Sequence, residues 1–159
     1  MAVSIEVTVK EGGKKFAGDE PRKAYKGQIQ VSKFGFDVLH SRAGVPGTRK
    51  FLDAVPAVST SFQVEKLPDS ASPDLYAACA DGLILDPVVL TETKVVNKRT
   101  VETCIYKLRD AVISTIGTTS DGDGGRTETL RFDYARIEME HKKPDGTPVR
   151  TEIDFVTRS

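Results

Sequence analysis

The chain has 159 residues, 23 Lys plus Arg against 23 Asp plus Glu, two cysteines, two histidines and no tryptophan. Balanced charge excludes the net positive field that draws a protein to nucleic acid or an anionic membrane, and this length buries roughly two-thirds of the unfolded surface without a staple. Cys79 and Cys104 lack the close Cys or His neighbours of a zinc or redox motif, so both read as buried thiols and no cofactor is implied.

Met1 to Lys10 alternates, with Val3, Ile5, Val7 and Val9 on one phase, which predicts a strand with one buried face. It is not the continuous apolar run of a cleavable signal peptide, so the expectation is a soluble protein made in the cytoplasm. Glu11 to Lys26 is charged and broken by Gly12, Gly13, Gly18 and Pro21, and predicts a surface loop without regular structure. Gln28 to Leu39 predicts a second strand. Ile29 and Val31 lie on one phase and Phe34, Phe36 and Val38 on the other, so a bulge or sharp bend is expected near Ser32-Lys33. Ser41 to Pro56 is too long for a hairpin turn and too apolar, at Val45, Phe51, Leu52 and Val55, for a disordered linker.

Val58, Thr60, Phe62 and Val64 predict a third strand. The one clear helix is Ser72 to Asp81: Ser72 as cap, Pro73 at the first position, Asp74 at the positive end of the dipole and Gly82 closing it. Leu75, Ala78 and Cys79 give it a narrow apolar stripe that must pack on a sheet. A fourth strand spans Leu83 to Val96, with Pro87 suited to its start or an edge. A fifth spans Val101 to Ile116 and shifts phase around Arg109-Asp110-Ala111. After a Gly- and Asp-rich loop from Thr118 to Arg126, Thr127 to His141 buries first Leu130, Phe132 and Tyr134, then Ile137 and Met139, as where a strand leaves one sheet for another. A turn at Pro144 to Thr147 leads to the last strand, Val149 to Phe155. About seven strands and one helix define a mainly β class: a small β-barrel or two-sheet sandwich in a single domain, residues 1–159, with the helix over one opening.

Catalytic constellations are missing. His40 and His141 sit at strand ends in charged surroundings, and no Ser or Cys has an activating context. Asp121-Gly122-Asp123-Gly124-Gly125 lacks the closing acidic residue of a calcium loop, and Arg126 leads into a strand where a phosphate loop would open a helix. By elimination the chain reads as a structural or binding protein and not an enzyme.

The run Ser70 to Gly82, SASPDLYAACADG, closely resembles the helix segment of the haemolysin-coregulated (Hcp) proteins, the tube subunits of bacterial type VI secretion. Gly27 to Phe36 resembles that family's second strand, Tyr106 to Thr115 its long central strand, and Thr127 to Ile137 with Asp145-Gly146-Thr147 its closing strand and turn. The charged N-terminal loop, the apolar loop from Ser41 to Pro56 and the extension from Arg150 to Ser159 depart from the pattern. The resemblance implies a hexameric ring of β-barrel subunits that stacks into a tube inside a sheath. That tube is expelled with a VgrG-like spike protein and carries or chaperones small effectors in its lumen. It further implies cytoplasmic assembly, then secretion without a cleavable signal peptide, and neither catalysis, nucleic acid nor membrane insertion.

With Phe34 and Phe36 pointing inward, Lys33, Gly35 and Asp37 face the other way, which in the family is towards the lumen. Val45, Phe51, Leu52 and Val55 are the candidate assembly loop. The alternatives are the tail-tube protein of another contractile particle and a stand-alone carbohydrate-binding β-sandwich, the latter weakened by the missing tryptophan.

Overall fold

The computed structural model describes residues 1–55 and 57–156. Among these residues, ten strands form two antiparallel sheets. In chain order they are β1 (Ala2–Val9), β2 (Ile29–Val31), β3 (Lys33–Ser41), β4 (Ala57–Lys66), β5 (Leu85–Val96), β6 (Arg99–Arg109), β7 (Val112–Ser120), β8 (Arg126–Asp133), β9 (Arg136–Lys142) and β10 (Pro148–Asp154). One sheet has the order β10-β9-β6-β5-β1-β2 and the other β3-β4-β8-β7.

The three predicted phase changes account for the rise from seven strands to ten. At each one the chain crosses between sheets: β2 to β3 through Ser32, β6 to β7 through Asp110 and Ala111, and β8 to β9 through Tyr134 and Ala135. At the first crossing the Ser32 N–H donates to the Glu65 carbonyl at 2.8 Å, and at the second Asp110 adopts a φ of 50°. Each crossing ends one hydrogen-bond ladder before another begins. The barrel expectation is therefore corrected to an open sandwich, since no strand ladder joins the two sheets among the described residues.

Three further features depart from expectation. The predicted loop from Glu11 to Lys26 contains a single 3-10 turn, Lys23–Tyr25. The predicted loop from Ser41 to Pro56 contains a five-residue helix, α1 (Arg49–Asp53); Pro56 itself lies outside the described residues, as do residues 157–159 of the C-terminal extension. Between β5 and β6, Asn97 and Lys98 take φ values of 51° and 63°, the two left-handed residues of a type I′ turn. Lacking the usual glycine, this hairpin hid from the sequence, which placed the start of its second strand at Val101.

The helix α2 (Ser72–Asp81) matches its predicted bounds. Leu75 and Ala78 are buried, Cys79 packs against the core, and Gly82 closes the helix at φ 61° while its N–H reaches the Ala78 and Cys79 carbonyls. The capping role of Ser72 is not as expected. Ala71 occupies the N-cap position without a side-chain bond, and Asp69 instead accepts the Ala71 N–H at 3.1 Å. The Ser72 hydroxyl turns back to accept the Asp69 N–H at 3.0 Å and to donate to Glu128 at 2.7 Å.

Between the sheets the core centres on Phe62, fully buried and ringed by Phe34, Phe36, Tyr106, Phe132 and Tyr134 at centroid distances of 5.8–6.4 Å. Ile5, Val7, Val88, Leu90, Leu108 and Ile137 line the six-stranded side. Lys66 is also buried, with its ammonium 2.6 Å from Glu128, 3.0 Å from Asp69 and 3.2 Å from the Ser72 hydroxyl. This network ties the start of α2 to neighbouring residues of β4 and β8.

Candidate functional site

Strand β3 alternates as its sequence predicts. Phe34 and Phe36 pack against the core, while Lys33, Gly35 and Asp37 are exposed on the outer face of the four-stranded sheet. Register extends that face across all four strands, pairing Lys33 with Glu65, Thr129 and Gly117 in one row, and Gly35 with Gln63, Arg131 and Thr115 in the next. Short side chains leave two shallow hollows. One, of about 350 Å3, lies over Gly35 between Lys33, Asp37, Ser61 and Gln63; the other, of about 300 Å3, lies over Gly117 between Gln63, Thr115, Thr129 and Arg131.

Neither glycine is needed by the backbone. Gly35 and Gly117 have ordinary extended φ values, and a Cβ built on either meets nothing within 4 Å among the described residues. Glycine inside a strand weakens it and often marks close approach of another molecule. The face is therefore polar and mixed in charge, with open space over Gly35 and Gly117. It is bounded by β3 and β7, each of which pairs on one side only among the described residues. Such unpaired edges are a template for pairing with another chain. Sequence reading caught the β3 half of this face but missed Gln63, Arg131, Thr115 and Gly117, because only the register brings them beside Gly35.

The second candidate group lies in the loop after β3. Val45, Leu52 and Val55 are 67, 65 and 89% exposed, and none of the four named residues joins the core cluster. Phe51 is half-buried under its own loop, with the Arg42 guanidinium 5.2 Å from its ring centre. The Thr48 side chain caps α1 by accepting the Phe51 N–H at 3.3 Å. Gly44 is required here: its φ is 100°, and a Cβ would meet the Phe51 nitrogen at 3.0 Å. The loop thus holds three large apolar side chains in water by local bonds of its own.

Among the described residues, the remaining reactive side chains are a Cys–His pair, an exposed histidine and the carboxylates of the Gly-rich loop. Cys104 is half-buried beside His141 on the neighbouring strand, with Sγ 3.5 Å from Nδ1. Burial, then the Glu92 charge, pushes the thiol pKa up, the opposite of an activated nucleophile. His40 is exposed on β3. In the Gly-rich loop, Asp121 Oδ1 accepts the N–H groups of Asp123 at 2.8 Å and Gly125 at 3.0 Å, so its carboxylate closes the turn. No group of three or more His, Cys, Asp or Glu suited to a metal ion occurs among the described residues. No described helix is long and apolar enough to cross a membrane.

A two-sheet β subunit with a polar face, sheet edges and an apolar projecting loop offers the surfaces of a protein that associates with other chains. The family described as type VI secretion system effector, Hcp, matches residues 7–141. The chain therefore belongs to the Hcp family, whose members are the tube subunits of type VI secretion.

Solved structures agree on the fold. Hcp1 from the E. coli EAEC 042 pathovar, in a doubly mutated form, superposes with a TM-score of 0.82 at 18% identity, covering 98% of this chain and 99% of that one. Hcp1 from Salmonella typhimurium gives 0.75 at 19% identity, with 99 and 97% covered. The secreted protein Hcp3 from Pseudomonas aeruginosa gives 0.71 at 20% identity, with 96 and 97% covered. No curated protein matches the chain by sequence.

Proposed function

We propose that this chain is a non-catalytic, single-domain subunit of hexameric rings that stack into the inner tube of a type VI secretion system. The observation that carries this reading is the outer face of the four-stranded sheet. It is a polar surface cleared by Gly35 and Gly117 and flanked by two unpaired edge strands, β3 and β7. Six copies meeting along those edges would cover them and turn the cleared faces inward as a lumen wall. Lys33, Gly35 and Asp37 then face cargo, and Val45, Phe51, Leu52 and Val55 contact a neighbouring subunit or ring. Small secreted effectors ride in the lumen, sheath proteins surround the tube and a VgrG-like spike leads it. Assembly takes place in the bacterial cytoplasm, and the tube is then secreted.

Light scattering on the purified protein, with negative-stain images of the same peak, tests the assembly. A six-subunit open ring is the expected result, and a monomer at high concentration would overturn it. Gly35→Trp tests the lumen assignment: the ring should still form, while protection and export of a co-expressed effector are lost. Unchanged export from an intact ring would refute the assignment.

A further inference from the structure

We infer that Cys104, His141 and Met139 form a binding site for one monovalent copper ion on the inner face of the six-stranded sheet. Such a site belongs to a single chain and does not need the ring proposed above. Strand β6 pairs with β9 so that Cys104 meets His141 and Tyr106 meets Met139, and β10 sets Val149 beside His141 and Thr151 beside Met139. Tyr106 packs on Phe34, Phe36 and Phe62, so its face of the strand is the inward one. Cys104, two residues away, shares that face, as do the residues paired with it across the strands.

These six residues line a pocket of about 210 Å3. Cys104 and Met139 are half-buried, while His141 is exposed and leaves the pocket a way in from solvent. Cys104 Sγ lies 3.5 Å from His141 Nδ1. Metal–sulfur and metal–nitrogen bonds of about 2.3 and 2.0 Å, set about 100–120° apart, hold their two donors about 3.3–3.7 Å from each other. An ion can therefore take both atoms with no movement of either strand. Met139, the diagonal neighbour of Cys104, brings a thioether on a flexible, unbranched side chain.

The chemistry of the donors selects the ion. Two sulfur atoms and one imidazole make a soft, three-donor set, which favours Cu(I) over harder ions. Burial, then the Glu92 charge, disfavours a bare thiolate at Cys104. A monovalent cation relieves both. It takes the place of the thiol proton, which leaves to solvent, and no electron is transferred, so the copper–thiolate pair is neutral beside Tyr106, Met139 and Val149. Zinc takes four nitrogen, oxygen or thiolate donors, and the carboxylate at this pocket, Glu140, is held by Arg150 at 3.1 Å.

Anaerobic titration of the full, reduced chain with Cu(I) held by bicinchoninate tests this, read by the loss of the coloured probe complex. One ion per chain should transfer, and an excess of Zn(II) should not displace it. Cys104→Ser should lower the affinity more than about 100-fold, and His141→Gln and Met139→Leu at least about tenfold, because each removes a direct donor. Met139→Leu keeps the side-chain volume and with it the fold. Cys79→Ser, which removes the chain's other thiol, should bind as wild type. X-ray absorption on the wild-type complex should show two sulfur donors and one nitrogen at copper, a readout that the folding of no variant affects. Failure to compete with the probe, transfer that persists in Cys104→Ser, unchanged affinity in Met139→Leu or His141→Gln, loss in Cys79→Ser, displacement by zinc, or a single sulfur in the absorption spectrum would each overturn the inference.

Discussion

Lys66→Met should be among the most damaging single substitutions in this chain. The Lys66 and Glu128 side chains are 1 and 2% exposed, and the ammonium supplies Glu128 with a 2.6 Å charged hydrogen bond. Without it Glu128 keeps only the Ser72 hydroxyl at 2.7 Å among its described partners. Breaking a buried pair from one side costs about 3–5 kcal/mol, because the stranded charge has lost its hydration and gained nothing. For a domain of this size that is a fall in Tm of roughly 6–20 °C. Replacing both partners, Lys66→Met with Glu128→Leu, removes the stranded charge and should recover more than half of the loss. Urea unfolding followed by circular dichroism measures this, at two protein concentrations so that any contribution of assembly is separated. Additive single effects, or a Lys66→Met cost below about 1 kcal/mol, would show that the network does not hold α2 to the sheet.

Phe62→Ala opens the centre of the aromatic cluster and should cost about 3–5 kcal/mol in the same assay; a loss under about 1 kcal/mol would mean the five surrounding rings close over the gap. Gly117→Thr has the opposite sign: with nothing within 4 Å of the added Cβ, the strand should gain about 0.5–1 kcal/mol, and a destabilised variant would refute the claim that the fold does not need this glycine. Stability should also fall in acid. Although burial alone would raise the Glu20 pKa, hydrogen bonds from Arg22, at 3.0 Å from its backbone N–H and 3.0 Å from Nε, hold it below the usual carboxylate value. A depressed folded pKa contributes stability that is present above the unfolded value near 4.3 and lost as pH falls through the folded one. Melting curves from pH 6 to pH 3 should therefore be less steep in pH for Glu20→Gln than for wild type, and identical slopes would refute the assignment.

Much of this fold is legible because its signals are local. Period-two alternation marks β1 and β3, and Pro73 with Gly82 brackets α2 to the residue. The phase changes at Ser32, Asp110 and Tyr134 were visible too, but a change of buried face does not say whether a strand bends within one sheet or crosses to another. That choice depends on which ladder is available on the far side, and only the register supplies it. The same limit applies to the candidate lumen face. Gly35 could be placed from its flanking phenylalanines, whereas Gly117 lies 82 residues away and joins the face only through two intervening strands. Ser72 illustrates a competition that composition cannot resolve. A serine before proline reads as a cap, yet a buried carboxylate on β8 and the Asp69 N–H claim its hydroxyl instead.

The clear outer face and the buried ionic network belong to one physical problem. A sheet normally gains stability from side chains on both faces, but here Gly35, Ser61, Thr115, Gly117 and Thr129 leave one face with little to pack. Stability must then come from the inner face alone. That face carries Phe62, Phe132, Val64 and Leu130, all buried, and at its end the Lys66–Glu128 pair that anchors α2. An apolar pair at Lys66 and Glu128 could serve stability as well, but Lys66 also meets Asp69, whose carboxylate takes the Ala71 N–H at the start of α2. The buried charge thus fixes where the helix begins as well as how firmly it sits. A helix free to slide would transmit its motion to β7, where Tyr76 bonds Thr118 beside Gly117. On this argument the network keeps the cleared face rigid without placing a single side chain on it, so loosening it by Lys66→Met should increase hydrogen exchange along β7 more than along β1.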